Sequence, residues 1–146
     1  MNSVKWLFAD EPVDERMFLE IETFFGVKFP ADYEHYILKY DGAYPKPNAF
    51  EFGERVGIFN NLLSFRDDST NIKEVYKCFS SSLPKKIIPF GRDPFGNLIC
   101  FDYRKGEFEP VVVFFDHEAK GEEAVYPICN TFTELLDKLY FSKDEE

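Results

Sequence analysis

Apolar positions recur along this chain in two rhythms, and the changes between them mark helical and extended stretches. Val13, Met17, Phe18, Ile21, Phe24 and Phe25 stand at offsets 0, 4, 5, 8, 11 and 12, which is one face of an α-helix. Glu15, Arg16, Glu20 and Glu22 fall mainly on the other side. Pro12 suits an early position of this helix, where a missing N–H is no loss. Gly26 suits its end, in the left-handed conformation. A second helix is predicted from Pro30-Ala31-Asp32, with Tyr33, Tyr36, Ile37 and Tyr40 at offsets 0, 3, 4 and 7 and Gly42 closing it. Ile72, Val75, Tyr76 and Phe79 repeat that spacing for a third. Asn71 and Glu74 have the spacing of an N-terminal cap, a role for which Asp68, Ser69 and Thr70 compete. Thr131 and Glu134 form a capping box before the apolar face Phe132, Leu135, Leu136 and Leu139 of a fourth.

Between the third and fourth helices the rhythm shortens. Three apolar segments, 87–90, 98–103 and 111–115, are separated by turn-forming stretches 91–97 and 104–110. Val, Ile, Phe and Tyr fill the segments, as strands on a pleated, buried surface require. Leu98, Cys100 and Asp102 share one face, and Ile99, Phe101 and Tyr103 the other. The short connections predict an antiparallel meander, and the all-apolar VVVFF run predicts a strand inside the sheet, covered on both sides. Segments 49–52 and 55–59 read as a hairpin turning at Gly53-Glu54, with Leu62, Leu63 and Phe65 extending it. Segment 125–129 reads as a further strand, with Pro127 marking an edge. Residues 1–11 are expected to pack through Val4, Trp6, Leu7 and Phe8. Residues 43–48, 66–70, 80–82 and 118–124 are expected to be loops, and 141–146 a frayed acidic tail. The order ααββαβββ(β)α predicts one α+β domain over 1–146, its core about 13–140, with a mainly antiparallel sheet covered by helices.

Aromatic residues make up 18% of the chain, with 18 Phe, enough for a packed core. The formal charge of −10 disfavours direct binding to nucleic acid or to an anionic membrane and favours a basic protein partner. No apolar run approaches the about 20 residues that cross a bilayer, and the first residues lack the pattern of a secretory signal. The three cysteines, Cys78, Cys100 and Cys129, include no CxxC pair and read as reduced thiols of a cytoplasmic protein.

Chemical motifs are sparse. The Gly-rich phosphate loops, GxSxG and HExxH are absent, so no cofactor or metal is expected. Cys100 and His117 lie on adjacent predicted strands, but burial in an apolar strand makes a thiol inert. In Asp116-His117-Glu118 the alternation of a strand points the histidine away from the two carboxylates, which a single metal would not tolerate. Asp93, Asp102 and Asp116 could converge on one sheet edge as paired carboxylates. His35 lies off the apolar face of its helix.

In its longer patterns the chain resembles the SUKH superfamily, the Smi/Knr-type domain. IETFFGVKFPADYEHYILKYDGA is similar to that family's opening, with Gly26, Pro30, Tyr33 and Gly42 at its motif positions. IIPFGRDPFGNLICFDY resembles its strand-turn-strand, with Pro89, Phe90, Asp93, Gly96, Asn97 and Asp102. VVVFFDHE and TFTELLDKLY resemble its next strand and closing helix. Asn97 stands where an Asp is common, and Tyr44 where a Gly or polar residue is usual. The resemblance implies scaffold roles for the motif residues. It further implies a cytoplasmic immunity protein or antitoxin that binds a cognate toxin, often a nuclease, by occlusion and without turnover. Such a toxin is basic where it holds phosphates, so exposed loop residues are the expected contacts: Tyr44, Asp67, Asp68, Glu107, Glu109, Glu118, Glu122 and Glu123. Alternatives are a regulator or scaffold of the cell-wall-synthesis type and, after it, an enzyme using convergent carboxylates.

Overall fold

The longest run of buried backbone lies where the meander was expected. The computed structural model describes residues 3–66 and 71–142. Its main sheet has the order β5-β6-β7-β8-β9, with Asn61–Leu62, Ile87–Arg92, Leu98–Asp102, Val111–Phe115 and Val125–Cys129 paired antiparallel throughout. β7 lies at its centre, Cys100 facing Pro89 on one side and Val113 on the other. Pro89 offers no N–H to the ladder, and the register shifts between Pro89 and Gly91, the kind of irregularity at which a proline is tolerated inside a sheet. β9 is an edge, as Pro127 suggested.

Strand alternation divides the interior in two. Ile88, Phe90, Ile99, Phe101, Tyr103, Val112 and Phe114 enter the larger cluster, and Ile87, Leu98, Cys100, Val113 and Phe115 the smaller. Helices α1 (Glu15–Phe25), α2 (Ala31–Ile37) and α4 (Phe132–Lys138) feed the larger one through Phe18, Ile21, Tyr33, Ile37, Phe132, Leu135 and Leu136. Hairpin β3–β4 (Ala49–Phe52, Arg55–Ile58) adds Phe50 and Phe52. Helix α3 (Ile72–Phe79) gives Ile72 to the larger cluster and Tyr76 and Phe79 to the smaller.

Caps explain the helix ends. Asp14, Asn71 and Thr131 accept hydrogen bonds from the N–H of Met17, Glu74 and Glu134 at 2.8, 2.9 and 3.0 Å, each stabilising by about 1 kcal/mol. The first helix therefore starts after Asp14, and Pro12 lies outside it. Gly26 ends it at φ 67°. Pro30 is the N-cap of α2, one position earlier than expected.

The second helix stops at Ile37, short of Tyr40. Its tighter final turn, Lys39 N–H to the Tyr36 carbonyl, leaves Tyr40 stacked on Trp6 at 5.9 Å and carries Asp41 inward. Gly42 thus closes the turn after the helix, at φ 69°. A Cβ there would lie 2.6 Å from an Asp10 carboxylate oxygen.

The N-terminal segment and the proline-containing loop pair with each other. β1 (Lys5–Leu7) and β2 (Tyr44–Lys46) form a two-stranded ribbon. Val4 and Trp6 pack on the larger cluster, but Leu7 and Phe8 are exposed, because alternation on the ribbon turns Leu7 outward and Phe8 follows at φ 58°. The charged stretch after β8 contains a 3-10 turn, Gly121–Ala124, and buries Ala124. The expected frayed tail lies mostly outside the described residues.

Candidate protein-binding surface

The exposed acids of interest sit on the two connections that flank β8. Glu107 and Glu109 are exposed on 104–110, and Glu118, Glu122 and Glu123 on 116–124. The second connection is held in a defined shape. Asp116 N–H donates to the Ala124 carbonyl, Glu118 N–H donates to the Asp116 carboxylate at 2.9 Å, and Gly121 N–H donates to the Ser82 carbonyl at 3.0 Å. Arg104 ties the two connections together. Its guanidinium holds Asp102 through Nε at 3.0 Å and a second nitrogen at 2.8 Å, and it ion-pairs with Glu122. Burial alone would raise the pKa of Asp102, yet the hydrogen bonds from Arg104 outweigh it and hold the carboxyl below its ordinary value.

Tyr44 is not brought to these glutamates by any strand pairing. It lies on β2, 37% exposed, with its ring edge-on to Phe8 at 6.0 Å. Asp67 and Asp68 lie outside the described residues.

Several motif residues lie at buried or hydrogen-bonded positions of the scaffold. Asp93 is buried at the β6–β7 turn and accepts from the N–H groups of Phe95 and Asn97 and from the Asn97 side chain, each at 2.8 Å. Gly96 takes φ 94° under the His117 ring, which a Cβ would approach to 3.3 Å. Asn97 in turn accepts from His117 N–H at 3.0 Å and meets the ring nitrogen Nδ1 at 2.7 Å. Tyr33 is fully buried among Phe29, Phe90, Phe101 and Phe132. Phe90 stacks on Phe101 at 4.2 Å.

The catalytic alternatives are not assembled. Cys100 is buried, which pushes its thiol up, and it faces Val113, whereas His117 follows the end of β8 and is engaged by Asn97. Asp102 closes β7 at the end opposite the Asp93 turn. Asp116 follows Phe115, the partner of Leu98, at the Asp93 end, so the three aspartates do not meet. Among the described residues no three His, Cys, Asp or Glu side chains gather as a metal would require, Asp116, His117 and Glu118 included. No described helix is long and apolar enough to cross a membrane.

Two buried acids escaped the sequence reading. Asp41 accepts from Ser64 Oγ and Phe65 N–H, both at 2.8 Å; burial pushes its carboxyl up to about 6 against those two bonds. Glu22 accepts from Phe29 N–H at 2.6 Å and joins the α1–α2 link to the first helix. Both left a signal: Asp41 falls at offsets 8 and 4 from Tyr33 and Ile37, and Glu22 at offset 4 from Phe18. An acid on an apolar face must find buried donors. Asp32 also joins helices, accepting from Thr133 N–H and Oγ1 at 2.9 Å.

The comparisons with known proteins agree with this scaffold. The model described as "SMI1 / KNR4 family (SUKH-1)" matches residues 12–138. The chain is also 24% identical over 140 residues to the SPbeta prophage-derived uncharacterized protein YokK of Bacillus subtilis (strain 168), covering 82% of this chain and 71% of that protein.

Proposed function

The chain belongs to the SMI1 / KNR4 family (SUKH-1), and from that premise we propose that it is an immunity protein that neutralises a cognate polymorphic toxin. Immunity proteins are among the members of this family, and they act by binding. The partner is a basic toxin domain, a nuclease, met in the cytoplasm. Neutralisation is stoichiometric: the immunity protein covers the surface where the toxin holds phosphates and transforms nothing.

The observation that carries this reading is the set of exposed glutamates on the two connections around β8. Glu107, Glu109, Glu118 and Glu123 are exposed, with Glu122 pinned beside them by Arg104. Carboxylates on shaped loops give steering at a distance and charge-assisted hydrogen bonds to Arg and Lys on contact. The net charge of −10 works in the same direction. Tyr44, Asp67 and Asp68 remain proposed contacts.

The test is co-expression with a toxin encoded beside this gene. Growth rescue by the wild-type chain is expected. A variant with Glu107, Glu109, Glu118 and Glu123 changed to Ser is expected to rescue poorly while folding normally. Rescue equal to wild type by that variant would reject the acidic surface. A toxin that kills regardless of the wild-type chain would reject the pairing.

A further inference from the structure

A groove of about 800 Å³ opens between the C-terminal half of α1, the start of β6 and the 104–110 connection. Its walls include exposed apolar side chains from two distant segments: Leu19 is 57% exposed, Phe24 45% and Phe108 73%. Phe25 and Tyr76, edge to face at 5.2 Å, line it as well. Single exposed apolar residues need no explanation, but several gathered around one depression mark a contact surface.

The charge around this groove departs from that of the rest of the chain. Lys28 and Lys86 line it, and the ammonium groups of Lys73 and Lys77 lie over the Phe24 ring at 5.8 and 6.0 Å. Lys77 is shared with Glu74 at 3.6 Å, whereas no carboxylate among the described residues pairs with Lys28, Lys73 or Lys86. Of the two acids lining the groove, Glu22 is turned onto the Phe29 N–H and only Glu107 is exposed.

Lys86 is held at φ 70°, a conformation uncommon for a lysine and one that persists where the surroundings impose it. Its carbonyl accepts Tyr103 N–H at 2.9 Å, and the Tyr103 hydroxyl donates to the Lys28 carbonyl at 2.8 Å. One tyrosine therefore braces the backbone under both lining lysines.

We propose that this groove docks a peptide segment of a partner protein in which aromatic or aliphatic side chains are flanked by carboxylates. The apolar side chains settle among Leu19, Phe24 and Phe108, and the carboxylates meet Lys28, Lys73 and Lys86. The groove shares Glu107 with the 104–110 connection, but its apolar walls and lysines suit a partner opposite in charge to a basic toxin, and it stands whether or not the protein neutralises a toxin.

The test is selection of a random peptide library, displayed on phage, against the wild-type chain with counter-selection on a Phe24→Ser/Phe108→Ser variant. Both changes are at exposed positions. Enrichment of sequences combining Phe, Leu or Trp with Asp or Glu is expected. Synthetic versions of those sequences are expected to bind a Lys28→Glu/Lys73→Glu variant roughly tenfold more weakly or worse. The lysine pair tests the proposal by itself should the serine variant fail to fold. Several results would overturn it: no enriched sequence, enrichment of basic sequences, or selected peptides indifferent to the lysine changes. A wild-type dimer in sedimentation that the serine variant abolishes would also overturn it, by assigning the groove to a second copy.

Discussion

The two faces of β7 differ in what covers them. On one, Ile99, Phe101 and Tyr103 enter an aromatic core built with α1, α2 and α4 and with Ile72 of α3, where Phe101 meets Phe90, Tyr33 and Phe29 at 4.2, 5.1 and 6.2 Å. On the other, Leu98 and Cys100 meet a small cluster closed by one helix and by Ala119 and Ala124 of a loop. The same alternation of residues thus serves a load of unequal size. The loop over the second face carries Glu118, Glu122 and Glu123 at exposed positions.

Neighbouring residues of β7 test this contrast most severely. Phe101→Ala is expected to cost about 3–5 kcal/mol in denaturant unfolding, and Cys100→Ala about 1 kcal/mol. Equal losses would erase the distinction between the faces. Arg104→Ala comes next, at about 1–3 kcal/mol, because nearly buried Asp102 keeps its backbone bond and loses the guanidinium. If the loop over the second face were unlinked to the sheet, this variant would unfold at the wild-type midpoint.

A smaller effect should appear as pH dependence, and with opposite signs at the two acids. Asp41, raised to about 6, binds its proton more tightly when folded, so its contribution is fully present below the ordinary value of 3.8 and is lost as pH rises through about 6. Asp102 is lowered, so its contribution is present above its ordinary value and is lost as pH falls through the depressed one. Melting temperatures of wild type and Asp41→Asn should therefore diverge in the wild type's disfavour between about pH 4 and 6. Parallel curves would show that Asp41 does not sense its burial.

Much of this was legible in the chain because the signals were local. The 3.6-residue face of α1, the caps at Asn71 and Thr131, and the alternation in β7 each lie within one element. The β1–β2 ribbon was not legible, since Lys5 pairs with Lys46 and nothing near either residue announces the other. Helix α2 ended early because a buried acid, Asp41, needed the Ser64 and Phe65 donors more than Tyr40 needed a helical position. Charge and loop position single out Glu107, Glu109, Glu118, Glu122 and Glu123 as candidates, and all five are exposed, but the link through Arg104 joins segments distant in sequence. The groove was hidden for the same reason: Leu19, Phe24, Lys86 and Phe108 come together only in the fold.

Glu107, Glu109, Glu118 and Glu123 are proposed to bind a basic toxin while adding little to the stability of the fold. Titration of that toxin with wild type and with the Glu107, Glu109, Glu118 and Glu123→Ser variant, at low and high salt, addresses this most directly. The account predicts unfolding free energies within about 0.5 kcal/mol of each other, weaker binding by the variant, and a shallower salt dependence. Equal affinity with equal salt dependence would contradict it.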